Sequence, residues 1–421
     1  MPRTYGLIDG NSFYCSVEAA FDPRLKDVPL IVLSNNDSCA VARSPAARRL
    51  GVEMGDPWHL IRHRPECAEV QWLSSNYALY ADASRRIYQV LCDRLPRVEP
   101  YSIDEMFIDL DVPTEDLVSF CHGLRAEVRR ITKIPTCIGI GPTKTIAKAG
   151  NKLAKVHPRY DGVCDLRDPA VRARVYRELP VGEVWGVGGR TEAKLARLGV
   201  ATVADFVALD SALVRDLLTV VGARTQAELR GVSCLPLSLA PASRKGVAVT
   251  RCFGRLVTVW ADMRESVSAH AARAGEKLRE QDLVAGHMAV FLHTHPYNGD
   301  PWYSAGHGGR IEPTSDTTAL IGEAARMLRP LWREGYAYFK VGVTLSELTP
   351  AADRPRMLFA TRDPARSARL MAALDGVNAR YGRDTLRVLA TGTARTWGTR
   401  HGRLSRRYTT RLGEILEATA W

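Results

Sequence analysis

Residues 101–110 read YSIDEMFIDL, and this run constrains the fold more than any other. Ser102, Asp104 and Met106 alternate with Ile103, Glu105 and Phe107, and the β-branched and aromatic content over so short a length predicts a strand. Two acids nevertheless stand side by side in its middle. Neighbours on a strand point to opposite faces, so at least one carboxylate must enter packed protein or the rim of a pocket. A bare charge there is costly unless something pairs with it.

The chain has 421 residues, 46% of them hydrophobic. That is ample for a packed core and too long for one ordinary domain, so three or more modules are expected. No run approaches the roughly 18 apolar residues that a membrane span needs. The opening MPRTYGLIDGNSFY enters a strand without the pattern of a cleavable signal, which predicts a soluble, cytoplasmic protein. Nine cysteines at 15, 39, 67, 92, 121, 137, 164, 234 and 252 form no CxxC pair. An odd, scattered set is neither a disulfide framework nor a zinc site. The net charge is +12, and residues 354–411 hold fourteen Arg, no Lys and three Asp, so the rest of the chain is close to neutral. A basic, Arg-only stretch is either a solvated surface or the footprint of a polyanion, with nucleic acid the first candidate.

Along the chain, TYGLIDGNSFY (4–14) predicts a strand ending at Asp9, with Gly10 and Asn11 as breakers. Strands follow at 28–34, 40–43, 101–110 and 136–142. Helices are expected after Ser16, up to Gly51, over 76–95, over 117–132, and over the basic run KTIAKAGNKLAKV (144–156). Strands and helices interleave, as in an α/β sheet platform. From 166 onward the texture turns helical, with a Gly-rich turn inside 178–206 and a further helix over 210–231. LPLSLAPASRKG (235–246) has the composition of a linker. A small β-α-β-α-β layer follows, with strands at 246–258, 286–295 and 336–346, helices at 260–281 and 315–333, and room for one more strand between Trp302 and Ile311. Beyond 350 there is little clear pattern.

Asp9 ends one strand and Asp104 and Glu105 sit on another, so three carboxylates from adjacent strands can face one point. Hard oxygen ligands without a His or Cys cluster point to Mg²⁺ rather than zinc. Two such ions about 4 Å apart clamp the oxygens of a phosphoryl transfer and make the buried charge tolerable. Arg48 and Lys155 lie on helices and are suited to phosphate oxygens, one as a fork and one as a point charge.

With LIDGNSFYCSVE (7–18), IVLSNNDSCAVAR (31–43), LGVEMGDPW (50–58), SSNYALYAD (74–82), YSIDEMFIDL (101–110), GIGPTKTIAKAGNKLAK (139–155), LPVGEVWGVGGR (179–190) and RYTTR (407–411), the chain resembles the Y-family, translesion DNA polymerases, and within them the UmuC-like branch. The likeness runs nearly end to end. It implies an α+β, multidomain right-hand polymerase: a palm (1–19 and 73–165), small fingers (20–72), a helical thumb with a helix-hairpin-helix (166–234), a linker (235–245), an α/β little finger (246–349) and a basic C-terminal tail (350–421). It implies two Mg²⁺ held by Asp9, Asp104, Glu105 and the Gly10 carbonyl. Arg48 and Lys155 match positions that contact the incoming dNTP. Tyr14 matches the aromatic steric gate that leaves no room for a 2′-hydroxyl, with Phe13 beside it as packing. The position three residues before Arg48, a Tyr in many relatives, is Pro45, a trait that UmuC-like members share.

Primer-template DNA is the implied partner. The glycines of GVGGR (Gly186, Gly188, Gly189), with Arg190, allow backbone N–H groups to approach a phosphate. Arg244, Lys245, Arg251 and Arg255 are expected phosphate contacts. PRMLF (355–359) stands where UmuC-like proteins carry a QLxLF clamp-binding motif. Met357, Leu358 and Phe359 keep the apolar anchors, and Pro355 removes the Gln contact, which implies a weakened sliding-clamp site. The UmuC-like resemblance further implies a dimer of processed UmuD and a RecA filament as partners in an SOS, mutagenic DNA-repair response, at the nucleoid and with no membrane. The competing readings are a stand-alone polymerase IV-like enzyme, a non-catalytic scaffold, which the retained carboxylates argue against, and another palm-type enzyme such as a nucleotide cyclase.

Overall fold

The computed structural model describes residues 3–239, 243–355 and 363–415. It divides into two compact units, Met1–Pro241 with Gly402–Trp421, and Ala242–His401.

In the first unit β1 (Tyr5–Gly10) is buried at every position. It turns through Asn11 and Ser12 into α1 (Phe13–Phe21). Next come β2 (Leu30–Leu33), β3 (Ala40–Arg43), α2 (Pro45–Arg49), α3 (Trp58–Ile61) and β4 (Gln71–Ser74), with a small sheet in the order β3-β2-β4. α4 (Tyr77–Cys92) starts at Asn76, whose side chain accepts from the Leu79 N–H, an N-cap that satisfies a donor the helix cannot. β5 (Val98–Pro100), β6 (Glu105–Asp109), α5 (Leu117–Thr132), β7 (Thr136–Gly141), α6 (Lys144–Val156) and β8 (Val163–Asp165) complete a sheet of order β5-β6-β1-β7-β8. Its centre, β1, runs antiparallel to β6 and to β7. Ile8, Met106, Ile108, Ile138 and Ile140 are fully buried there. Each such side chain contributes about 1.5–3 kcal/mol relative to exposure.

One glycine decides where α6 lies. A Cβ at Gly139 would stand 2.0 Å from the Asn151 amide nitrogen and 2.1 Å from the Ala147 carbonyl oxygen. Backbone thus meets backbone, and Asn151 Nδ2 crosses to the carbonyls of Leu7 (3.1 Å) and Cys137 (2.8 Å). The basic face of α6 is held beside the ends of β1 and β6 as a result. α7 (Pro169–Glu178), α8 (Gly189–Ala196), α9 (Val203–Ala208) and α10 (Ser211–Leu229) pack around Val175, Leu195, Phe206 and Val214.

The second unit is an antiparallel sheet of β9 (Gly246–Val257), β10 (Leu283–Thr294), β11 (Ser304–Thr314) and β12 (Tyr338–Pro350), in the order β11-β10-β12-β9. α11 (Trp260–Arg279) and α12 (Thr317–Leu328) cover one face through Met263, Val267, Ala271, Leu320 and Ala324. The extra strand expected between Trp302 and Ile311 is β11. Among the described residues no helix is long and apolar enough to cross a membrane.

Three expectations need correction. Residues 101–104 are a turn, and the strand begins only at Glu105, because the Ser102 hydroxyl takes the N–H groups of Asp104 and Glu105 and ends the extended run. The Gly-rich turn of 178–206 is preceded by a single 3₁₀ turn, Val181–Glu183, rather than a helix, since Pro180 lies between it and α7. The stretch beyond 350 is not patternless: α13 (Pro364–Tyr381) begins at an Asp363 cap, and Met371 is its one fully buried residue. Beyond it Trp397 enters the core of the second unit, its indole N–H 2.8 Å from Glu265 Oε1.

Candidate active site

The carboxylates come together because β1 and β6 pair with Asp9 opposite Glu105. One residue earlier, the Gly10 N–H donates to the Asp104 carbonyl (2.9 Å), which brings the turn onto the end of β1. Within the turn the Ser102 hydroxyl donates to Asp104 Oδ1 (2.6 Å). A Cβ at Gly10 would lie 2.8 Å from the Phe13 ring, so this position holds no side chain.

Asp9 is 5% exposed. Burial pushes its pKa up to about 7, Lys155 opposes the rise, and Asp104 and Glu105 add to it. Its Oδ2 meets Lys155 Nζ, while its Oδ1 is buried with no hydrogen-bond partner among the described residues. A desolvated, unpaired carboxylate oxygen is expensive. Lys148 Nζ bonds Glu105 Oε1 at 2.6 Å and stands over the rings of Tyr101 (4.9 Å) and Trp185 (5.9 Å). Lys144 pairs with Glu99, and Lys152 with Glu183 at 2.7 Å. α6 therefore lays four lysines on four acids. Lys148 and Lys144 escape a reading by motif. Their signal is the i, i+4, i+8 repeat of Lys144, Lys148 and Lys152, which places one charge per turn on a single face.

Among the described residues no three His, Cys, Asp or Glu side chains are arranged as a cage for a metal ion. Each acid is instead turned toward a lysine or a serine. The donor set still fits a hard divalent cation: all its atoms are oxygens, and the orphaned Asp9 Oδ1 is an acceptor with nothing to accept from.

Phe13 is buried and Tyr14 half-buried. The Tyr14 ring stacks on Tyr80 (4.3 Å, 15°) and meets the edge of Tyr77 (5.9 Å, 85°). Burial pushes the Tyr14 hydroxyl up to about 12, helped by Tyr77 and by the negative charge of Asp104. Lys155 is brought to the trio. Arg48 lies exposed on α2, and no hydrogen bond or ion pair joins it to the carboxylates.

Gly186 has φ of 88°, the left-handed region that glycine favours. Gly188, Gly189 and Arg190 are exposed, and a Cβ at either glycine would meet nothing within 4 Å. In the second unit Arg244, Lys245 and Arg251 are exposed. Arg255 is engaged by Asp262 and Thr396. Lys277 has its pKa lowered first by burial and then by Arg273, Arg251 and Arg244, the mark of a crowd of like charges. Met357, Leu358 and Phe359 lie outside the described residues.

Comparison with known proteins places three family models on the chain: the impB/mucB/samB family over residues 8–152, its C-terminal domain over 244–358, and a domain of unknown function (DUF4113) over 368–418. The chain is 39% identical over 419 residues to Protein ImpB of Salmonella typhimurium, covering 98% of each chain. It is 38% identical over 418 residues to Protein UmuC of Salmonella typhimurium, covering 98% of this chain and 99% of that one. Similarity to DNA polymerase IV of Moorella thermoacetica is lower, 29% over 391 residues, covering 89% of this chain and 93% of the other.

Proposed function

The chain belongs to the impB/mucB/samB family, the UmuC-like branch of the Y-family DNA polymerases, and on that premise we propose that it extends a primer by error-prone, template-directed synthesis across damaged DNA. The observation that carries the reading is the buried, unpartnered Oδ1 of Asp9, in register with Glu105 and beside Asp104. Asp9, Asp104, Glu105 and the Gly10 carbonyl would hold Mg²⁺. When bound, two such ions stabilise the attacking and leaving oxygens of nucleotidyl transfer.

The side chains do the rest. Lys155, already neutralising Asp9, and Arg48 hold triphosphate oxygens. Tyr14 lies under the sugar and excludes a 2′-hydroxyl, with Phe13 as its packing support. In this reading the five-stranded sheet is the palm, the β3-β2-β4 sheet the fingers, α7–α10 the thumb, and the β11-β10-β12-β9 sheet with α11 and α12 (246–349) the little finger. Gly186, Gly188, Gly189 and Arg190, with Arg244, Lys245, Arg251 and Arg255, grip the DNA backbone without reading its sequence. The resemblance extends the proposal to a processed UmuD dimer and a RecA filament as activating partners in the SOS response, in the cytoplasm at the nucleoid.

Primer extension on a lesion-bearing template tests this. Replacing both Asp104 and Glu105 by Ala should cut extension about a thousandfold or more, the scale of losing preorganised charge at the reacting centre. Extension that survives the double substitution overturns the assignment. Adding the UmuD-like dimer and RecA filament to the native chain reports on the partners.

A further inference from the structure

The segment that follows the second unit returns to the first and seats itself behind the tyrosines of the candidate nucleotide pocket. The Ser74 N–H donates to the Arg403 carbonyl (2.9 Å), the Arg403 N–H donates to Ser74 Oγ (3.0 Å), and Leu404 bridges Ser74 in parallel sense. Residues 403–404 thus cover the outer edge of β4, an edge that otherwise presents unpaired backbone groups. The Gly402 N–H donates to Asp37 Oδ2 (2.7 Å), the Arg403 guanidinium lies 4.7 Å over the Trp72 ring, and Tyr408 stacks on Phe21 (5.0 Å, 9°).

From this seat a chain of polar contacts runs inward. Asn76 Nδ2 donates to Ser405 Oγ (3.0 Å), and the same side chain caps α4 through its Oδ1. Ser405 Oγ donates to Glu18 Oε1 (3.0 Å). Tyr80 OH donates to that same oxygen at 2.6 Å. Tyr80 is the residue on which Tyr14 stacks. Glu18 is 1% exposed, no cation among the described residues pairs with it, and burial raises its pKa. Such a group depends on every hydrogen bond it accepts, because each one lost leaves buried charge unsatisfied.

We propose that residues 402–408 form the back wall of the sugar pocket, with Ser405 and Tyr408 as positioning residues that fix Glu18 and α1, and through the Glu18–Tyr80 bond fix the ring of Tyr14. The segment acts on choice of sugar, not on the carboxylates. It lies in the stretch matched by the domain of unknown function, and the inference gives that stretch a task. It rests on the reading of Tyr14 as the sugar gate.

The experiment measures single-turnover incorporation of a dNTP and of the matching rNTP by the full chain. It compares the native protein with Ser405→Ala, Tyr408→Ala, Tyr14→Ala and the Tyr14→Ala, Ser405→Ala pair. Ser405→Ala should lower the deoxy-over-ribo ratio roughly tenfold, the scale of one lost hydrogen bond to a charged group. Most of the change should fall in rNTP incorporation. Tyr14→Ala should lower the ratio further, and adding Ser405→Ala to it should change nothing more, since both act through one ring. Ser405→Thr and Tyr408→Phe should restore the native ratio, which separates positioning from a general loss of fold. A lowered ratio in Tyr14→Ala with an unchanged ratio in Ser405→Ala and Tyr408→Ala overturns the back wall and leaves the gate standing. Independent, additive losses also overturn it. No change in Tyr14→Ala removes the gate reading and the wall with it.

Discussion

The two compact units balance charge in opposite ways. In the first, four carboxylates along α6 each meet a lysine: Glu99 with Lys144, Glu105 with Lys148, Glu183 with Lys152 and Asp9 with Lys155. In the second, burial first and then Arg273, Arg251 and Arg244 lower the pKa of Lys277; Arg273 is paired with Glu276 and Glu280, while Arg244 and Arg251 stand exposed. Paired charge in a partly buried cleft suits a small ion or a triphosphate that exchanges one partner for another. Surplus cation on a surface suits a polyanion that releases counterions. On the proposed function, the contrast assigns chemistry to the first unit and grip to the second.

The widest separation should come from a double dissociation. The Asp104→Ala, Glu105→Ala protein should lose extension about a thousandfold while its affinity for primer-template DNA at low salt stays within about threefold of native. Replacing Arg244, Lys245 and Arg251 by Gln should instead weaken DNA binding by about 10- to 100-fold and reduce the slope of log affinity against log salt by about 2–3, near 0.9 per phosphate contact. Binding that is insensitive to salt would erase the contrast.

The next effect lies inside the second unit. His270 is 4% exposed, and burial with Arg251 and Arg395 holds its pKa down at about 4. A depressed folded value means that the stability it carries is present above the ordinary 6.5 and is lost as pH falls toward 4. The full shift corresponds to about 3 kcal/mol. Calorimetric melts of native protein and of His270→Phe should therefore diverge across that window, the native protein losing more. Parallel curves would show that this histidine is not buried in its neutral form.

The smallest effect concerns the paired cleft. Lys148→Met leaves Glu105 without its cation, and both side chains are about a fifth to a quarter exposed. Stability without metal should fall by about 1–2 kcal/mol, below the full cost of breaking a buried pair because solvent screens it. Added Mg²⁺ should then raise the melting temperature of Lys148→Met by more than it raises that of the native protein. Equal increments would mean that lysine and metal do not share the acid.

Legibility in the sequence followed periodicity. α6 begins and ends where the basic run 144–156 does, and α5 likewise over 117–132, because both keep one apolar face to the core. α13 was illegible for the converse reason: with only Met371 fully buried it has no apolar stripe to read. Asp9, at the end of one predicted strand, and Asp104 and Glu105, on another, could be grouped from the sequence. The turn at 101–104 could not, since one hydroxyl hydrogen-bonding locally outweighs the β propensity of its neighbours. The partners of the acids were hidden for a different reason. Lys148 and Glu105 are 43 residues apart and Ser405 and Glu18 are 387 apart, and no local pattern reports such closures.

The seat of residues 402–408 also sets a clock. Ser405 follows Asn76 by 329 residues, a stretch that takes a ribosome roughly 15–65 s to make at about 5–20 residues per second. Through that interval the nascent protein carries its acids and its tyrosines without the brace behind them. On the proposed reading, a chain that stops short of residue 402 would lack this brace and should admit ribonucleotides more readily than the full chain.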